Sequence, residues 1–269
     1  MKRLAKWVVG PAQINESYIA HAMLRPRQGL MLDVGAHFGS HLAPFADDGW
    51  SVHAFEPDPG NRAELSAAFG RYPNVTIVPK GVSDRPGEVP LFASEESTGI
   101  SSFTPFTEGH EAIATVEVLT LRDYLAETRI TRVDFLKIDV EGFERNVLNG
   151  YDWAVKPDVI VLEFEDSKTV PLGYSWTDLA GELVSRGYQV LVSEWFPVEH
   201  YAGDHKWRRF APYPTKLEHP DAWGNLIAAA SLEEITAAAR RALARMRLRR
   251  GLGRLVPSSV SERRRKPAA

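Results

Sequence analysis

No cysteine occurs in this chain of 269 residues, which excludes disulfides, thiolate metal sites and cysteine nucleophiles together. Long apolar runs are missing too. None approaches the roughly 20 residues needed to span a bilayer, and the apolar stretch behind Met1-Lys2-Arg3 is too short for a secretory signal. These absences fit a cytoplasmic address. The chain also lacks an internal repeat and a G-x-G-x-x-G run, so the usual dinucleotide fingerprint is absent. What remains is ordinary for a soluble globular protein: 44% hydrophobic and 25% charged residues, in a chain long enough for one α/β domain with a sizeable core.

The net charge of −3 hides an asymmetry. From Arg240 to Lys266 there are eleven Arg or Lys against one acid, Glu262, so a body near −13 carries a tail near +10. After Ala230, residues Leu232, Ile235, Ala239, Leu243 and Met246 fall at helical spacing and lead into this region. The stretch reads as an amphipathic helix that docks on the body, followed by a basic tail that reads equally as a solvated, partly disordered terminus or as a contact for an anionic surface, a membrane included. No groove-reading motif accompanies the basic residues, and a nucleic-acid partner is not expected.

Apolar runs alternate with helix-like stretches along most of the chain, the pattern of a mostly parallel sheet with helices on both faces. Seven strands are predicted over residues 30–34, 51–55, 75–78, 133–138, 159–164, 188–192 and 225–229. Helices are predicted over 37–47, 61–69, 121–128, 143–149 and 176–185. Thr120 supplies a hydroxyl at an N-cap position with Asp123 three residues on. The alternation breaks over residues 83–117, rich in Ser, Thr, Glu and Gly, which reads as an insertion over the sheet edge. It breaks again over 195–223. The expected organisation is a helical lead-in (1–29), an α/β domain (30–230) and a basic helix with its tail (231–269).

The chemistry concentrates at two strand ends. Leu30-Met31-Leu32-Asp33-Val34-Gly35-Ala36-His37-Phe38-Gly39 is a strand, an acid and a glycine turn opening a helix, with spacing D-x-G-x-x-x-G. Gly35 and Gly39 let the backbone pass close to a ligand. Asp33 at the mouth would repel a pyrophosphate and suits a cationic ligand such as S-adenosylmethionine, whose ammonium it can take directly or through water. Glu56-Pro57 closes the next strand, about 20 residues after Gly35, where an acid binds ribose hydroxyls. Methyl transfer is thereby favoured over hydride transfer.

The second strand end is Val133-Asp134-Phe135-Leu136-Lys137-Ile138-Asp139-Val140-Glu141-Gly142-Phe143-Glu144. By strand order it lies beside the first strand at the topological switch point. Asp139 and Glu141 are the candidates for orienting an acceptor hydroxyl or taking its proton. Either could instead cap the helix near Phe143. The pair could also hold a divalent cation through oxygen ligands, although nothing else in the sequence supports a metal, and no metal ligand is assigned.

These motifs, together with Gly81-Val82-Ser83-Asp84 and Leu119-Thr120-Leu121-Arg122-Asp123-Tyr124-Leu125, resemble the FkbM family of S-adenosylmethionine-dependent methyltransferases, in order from about Met31 to Glu165. The resemblance implies a Rossmann-like class I methyltransferase fold and O-methylation, often of sugar hydroxyls in glycans, glycolipids or glycosylated metabolites. Lipid, polyketide and peptide acceptors, or a binding module without turnover, are the alternatives. It also implies that Gly81, Val82 and Ser83 lie near the adenine, and that Ala36 and His37 belong to the cofactor turn. His37 departs from the family's usual Asn. His110, His200 and His205 fall in the irregular regions as candidate bases. The aromatic and cationic run 200–209 reads equally as a sugar-binding surface or a packed edge.

Overall fold

The computed structural model describes residues 14–253 apart from 26, 95–96, 107–108 and 199–204, with the side chains of 97–100 and 246–253 also undescribed. Asn15 opens the described chain by accepting from the N–H groups of Ser17 and Tyr18 and so capping α1 (Glu16–Leu24). Then follow β1 (Leu30–Val34), α2 (Ala43–Asp47), β2 (Ser51–Phe55), α3 (Pro59–Phe69) and β3 (Val75–Val78). The first three strands have the bounds predicted from the sequence. Helix α2 is shorter than expected, because His37 and Gly39 take positive φ (49° and 82°) and no helix can run through them.

The insertion is itself a sheet. Strands β4 (Gly81–Val82), β5 (Gly87–Ser94), β6 (Ser97–Ser102) and β7 (Glu111–Leu119) form a separate four-stranded sheet in the order β4-β7-β5-β6. Leu91, Phe103, Val116 and Val118 make its small apolar core.

The chain then returns through α4 (Leu121–Thr128), capped by Thr120 Oγ1 on the Asp123 N–H at 3.0 Å, as the sequence indicated. Next come β8 (Phe135–Ile138), α5 (Glu144–Asn149), β9 (Val159–Glu165), the single turn α6 (Asp166–Thr169), α7 (Trp176–Ser185), β10 (Gln189–Trp195), β11 (Trp207–Pro212), β12 (Trp223–Ala229) and α8 (Leu232–Gly253).

The main sheet has eight strands where seven were predicted, in the order β11-β10-β12-β9-β8-β1-β2-β3. The extra member, β11, lies inside the segment read as irregular. Strands β9, β8, β1, β2 and β3 are parallel, and the β12-β10-β11 edge is antiparallel. This is a doubly wound sheet whose order reverses between β1 and β8. Apolar side chains on its two faces form two cores. One is built around Leu32, Leu136, Ile160 and Leu179, the other around Met31, Phe45, Phe135 and Ile235. Burial of each large side chain contributes about 1.5–3 kcal/mol. Ile235, Ala238 and Ala239 seat α8 in the second core, so the start of the basic region docks on the body. Residues 254–269, with the rest of the expected tail, lie outside the described residues. No described helix is long and apolar enough to cross a membrane.

Candidate functional site

The reversal of strand order leaves a cleft at the carboxyl ends of β1, β2 and β8, about 830 Å³ with its mouth included. Gly35, His37, Glu56, Pro57, Gly81, Val82, Asp139 and Glu141 line it. Of the other sequence-predicted residues, Asp33, Ala36 and Ser83 are buried beside it and Gly39 lies farther along the turn, none of them on its wall.

The floor is the β1 turn. Gly35 has φ 76°, and its N–H and that of Ala36 both donate to the Phe55 carbonyl at the end of β2 (3.1 and 3.0 Å). A Cβ at Gly35 would fall 1.7 Å from the Asp139 carbonyl oxygen, so only glycine lets the ends of β1 and β8 approach this closely. His37 follows in the left-handed region, where Asn and His are tolerated better than most side chains.

Glu56 is 4% exposed, and its carboxylate is pinned by two backbone donors, His37 N–H to Oε2 (2.8 Å) and Asp58 N–H to Oε1 (2.9 Å). Burial raises its pKa to about 7 despite those hydrogen bonds. Each oxygen keeps a lone pair for a ligand, the arrangement that accepts two neighbouring hydroxyls.

Lys137, to which the sequence reading gave no role, organises the centre. Its ammonium, on a side chain 3% exposed, donates to the Gly35 carbonyl (2.9 Å) and faces Asp139 Oδ2 at 3.1 Å and Asp33 Oδ1 at 3.5 Å. Asp33, expected to take a ligand's ammonium directly or through water, does not line the cleft. The Asp33 carboxylate is fully buried, and its cationic neighbour is Lys137. Burial raises the Asp33 pKa to about 6, with Lys137 opposing. Asp139 goes the other way: burial would raise it, but Lys137 outweighs that and holds the carboxyl below its usual range. The signal for Lys137 was the register, because Asp33 on β1 and Lys137 on β8 stand side by side.

Glu141 (φ 56°) pairs with Lys168 of α6, which also holds Glu165 Oε2 at 2.6 Å. Neither Asp139 nor Glu141 caps α5, which has no side-chain cap; Glu144 Oε1 instead accepts from the N–H groups of Val140 and Gly142 in the preceding turn, at 3.2 Å each. Burial raises Glu141 to about 7, against the pull of Lys168. Glu163 on β9 joins this group: one oxygen from each of Asp139, Glu141 and Glu163 lies within 4.8 Å of the others. Burial and the two neighbouring carboxylates push its pKa well up.

The insertion sheet forms the roof. Leu91, Ser101, Ser102 and Phe103 face the cleft, and Ser102 Oγ donates to the Glu141 carbonyl at 2.8 Å. The expected loop histidines are elsewhere: His205 packs on Trp223, His110 is not on the cleft wall, and His200 lies outside the described residues. His37 and His41 line the cleft instead. Burial, with Lys137 adding to it, lowers His41 to about 3 and keeps it neutral. The described part of the aromatic and cationic run is a packed edge. Arg209 pairs with Glu194 Oε2 (2.6 Å), Arg208 with Glu218, and Trp207 packs on Phe210.

A pinned carboxylate, an apolar roof and an acid cluster at the switch point define the class: a doubly wound α/β protein with a cleft at the carboxyl edge of its sheet. The chain belongs to the FkbM methyltransferase family. Residues 33–190 match the model described as the methyltransferase FkbM domain. The protein is 31% identical over 183 residues to 31-O-demethyl-FK506 methyltransferase FkbM of Streptomyces tacrolimicus, covering 55% of this chain and 70% of that one. It is 28% identical over 129 residues to the hexuronic acid methyltransferase AglP of Haloferax volcanii, covering 47% and 52%. Among solved structures, methyltransferase FkbM from Methylobacillus flagellatus KT is 17% identical with a TM-score of 0.46, covering 80% of this chain and 48% of that one. The chain spans about half the length of these last two relatives. The observed strand order and the family membership agree on the Rossmann-like class I methyltransferase fold.

Proposed function

We propose that the protein is an S-adenosylmethionine-dependent O-methyltransferase acting on a hydroxyl, of a sugar in a glycan, glycolipid or glycosylated metabolite. The observation that carries this reading is Glu56, held by two backbone N–H groups at the end of β2 and presenting its remaining lone pairs to the cleft. The residues present fit the cofactor. Glu56 receives the ribose hydroxyls, Gly35 lies on the cleft wall where the chain of the ligand would pass, and the slot between Val82, Leu91 and Phe103 suits a purine. The two relatives act, by their names, on 31-O-demethyl-FK506 and on hexuronic acid, which supports oxygen as the acceptor atom.

When bound, S-adenosylmethionine supplies an electrophilic methyl group. The protein's task is alignment and proton removal. Asp139, one quarter exposed into the cleft and kept ionised by Lys137, accepts a hydrogen bond from the attacking hydroxyl and orients its lone pair. Glu141 stands beside it as the second carboxylate of the reaction end. Asp33 acts at one remove, as a positioning residue that holds Lys137. Isothermal calorimetry with S-adenosylmethionine and turnover of Asp139→Asn on a panel of glycoside acceptors test the assignment. The expected result is retained cofactor affinity with turnover reduced at least about 100-fold. Full turnover by the variant would remove Asp139 from the mechanism, and absence of cofactor binding by the parent chain would turn the reading toward a binding module.

A further inference from the structure

Glu163 is the residue at the reaction end that neither the family motifs nor the mechanism uses. It is 9% exposed and, among the described residues, makes no hydrogen bond and no ion pair. A carboxyl group left this way is costly to ionise and meets its charge with a proton or with a cation. Its position says where a cation would sit, because its oxygen and one each from Asp139 and Glu141 lie within 4.8 Å of one another. A Mg²⁺ or Mn²⁺ ion, with metal–oxygen bonds of about 2.0–2.2 Å, holds ligand oxygens roughly 3–4.4 Å apart, so small adjustments bring the three into one coordination sphere.

The two lysines do not fill this place. Lys137 engages Asp139 through Oδ2 and Lys168 engages Glu141 through Oε2, leaving the second oxygen of each carboxylate without a partner among the described residues. Each lysine is shared with a further acid, Asp33 and Glu165 respectively. Five carboxyl groups thus share two ammonium groups in a buried region. The lysines act on the triad as outer partners that fix the direction of the carboxylates.

We propose that Asp139, Glu141 and Glu163 form a binding site for a hard divalent cation, of the Mg²⁺ or Mn²⁺ type, at the acceptor end of the cleft. Asp139 is the most exposed of the three ligands, so the open coordination positions face the cleft. There they take oxygen atoms of the acceptor, a vicinal diol being the best fit; this last clause rests on the reading of the cleft as a hydroxyl-methylating site, and the cation site itself does not.

The test uses the full chain, stripped with a chelator and titrated with Mn²⁺ while the electron paramagnetic resonance signal of the free aquo ion is followed. One Mn²⁺ per chain, bound more tightly than about 1 mM and displaced by Mg²⁺, is expected. Glu163→Gln should weaken it by about tenfold or more with an unchanged melting temperature, since it removes an unpartnered acid. Glu163→Asp, which keeps the charge and retracts it, should weaken it less. Binding weaker than about 1 mM, more than one equivalent site, or affinity indifferent to Glu163→Gln overturns the proposal. Mn²⁺ binding that survives while S-adenosylmethionine fails to bind counts against the methyltransferase cofactor reading and leaves the cation site standing.

Discussion

Replacing Lys137 with methionine keeps the bulk of the side chain and deletes one charge, and the structure fixes what that deletion does. The ammonium is 3.1 Å from Asp139, 3.5 Å from Asp33 and 2.9 Å from the Gly35 carbonyl. At an effective dielectric near 20 each attraction is worth about 5 kcal/mol before desolvation. Removing the lysine also removes its own desolvation cost, so the net penalty is that of breaking a buried pair, about 3–5 kcal/mol. We expect Lys137→Met to lose about 4 kcal/mol in urea denaturation, or about 8–16 °C in melting temperature. The loss depends on pH. The folded-state pKa of Asp33 is already raised to about 6, so its protonated form contributes stability that is full below its unfolded value and lost as pH rises through 6. Without Lys137 that pKa rises further, and a proton substitutes for the lost ammonium. The deficit should therefore be largest near pH 8 and shrink toward pH 5. The double variant Asp33→Asn/Lys137→Met should recover about 2 kcal/mol of it. A deficit under about 1 kcal/mol, a deficit flat from pH 5 to 8, or strict additivity of the two substitutions would refute the three-way arrangement.

Gly35→Ala should abolish cofactor binding in calorimetry and cost about 3 kcal/mol or more, because the new Cβ meets the Asp139 carbonyl at a backbone angle that L-residues disfavour. Cofactor affinity should rise with pH through about 7, roughly tenfold between pH 6 and 8, as Glu56 ionises and can accept from both ribose hydroxyls. The same raised pKa works against the unliganded fold, whose stability from this group is complete below about 4.5 and is lost as pH passes 7. Calorimetry that finds no pH dependence would remove Glu56 from ribose binding. Phe103→Ala should cost about 3 kcal/mol, since it empties the contact with Phe143 and the wall beside Gly81. It should also weaken cofactor binding; unchanged affinity would show that the purine does not use this wall.

Strands β1, β2 and β3 and helices α4 and α7 were legible to the residue, because each is a short apolar run or an amphipathic stretch with a turn or cap signal at its ends. Strand β11 was not. Its Arg208 and Arg209 interrupt the apolar pattern, and their partners Glu194 and Glu218 lie on other segments, invisible to a local reading. The insertion over the sheet edge was legible as an interruption but not as a sheet of its own, because β6 is built of small polar residues with little strand signal. At the site, the carboxyl-terminal acids of β1, β2 and β8 stood out through their glycine turns. Lys137 and Glu163 did not, since each is one charge inside an apolar strand, and its meaning appears only when β1, β8 and β9 are laid side by side.

The roof leaves and rejoins the body at one place. Gly81 and Val82 pair in parallel with Val118 and Leu119, so the excursion over residues 83–117 departs from and returns to neighbouring strands, about 5 Å apart. Chain joined at two adjacent points can be lengthened, shortened or exchanged at little cost in closure entropy. The excursion therefore tolerates insertions and deletions away from Leu91 and Phe103, whose side chains line the cleft, and a change of length there would reshape the space above Glu141 while the β1 turn and the charge cluster beneath stay as they are.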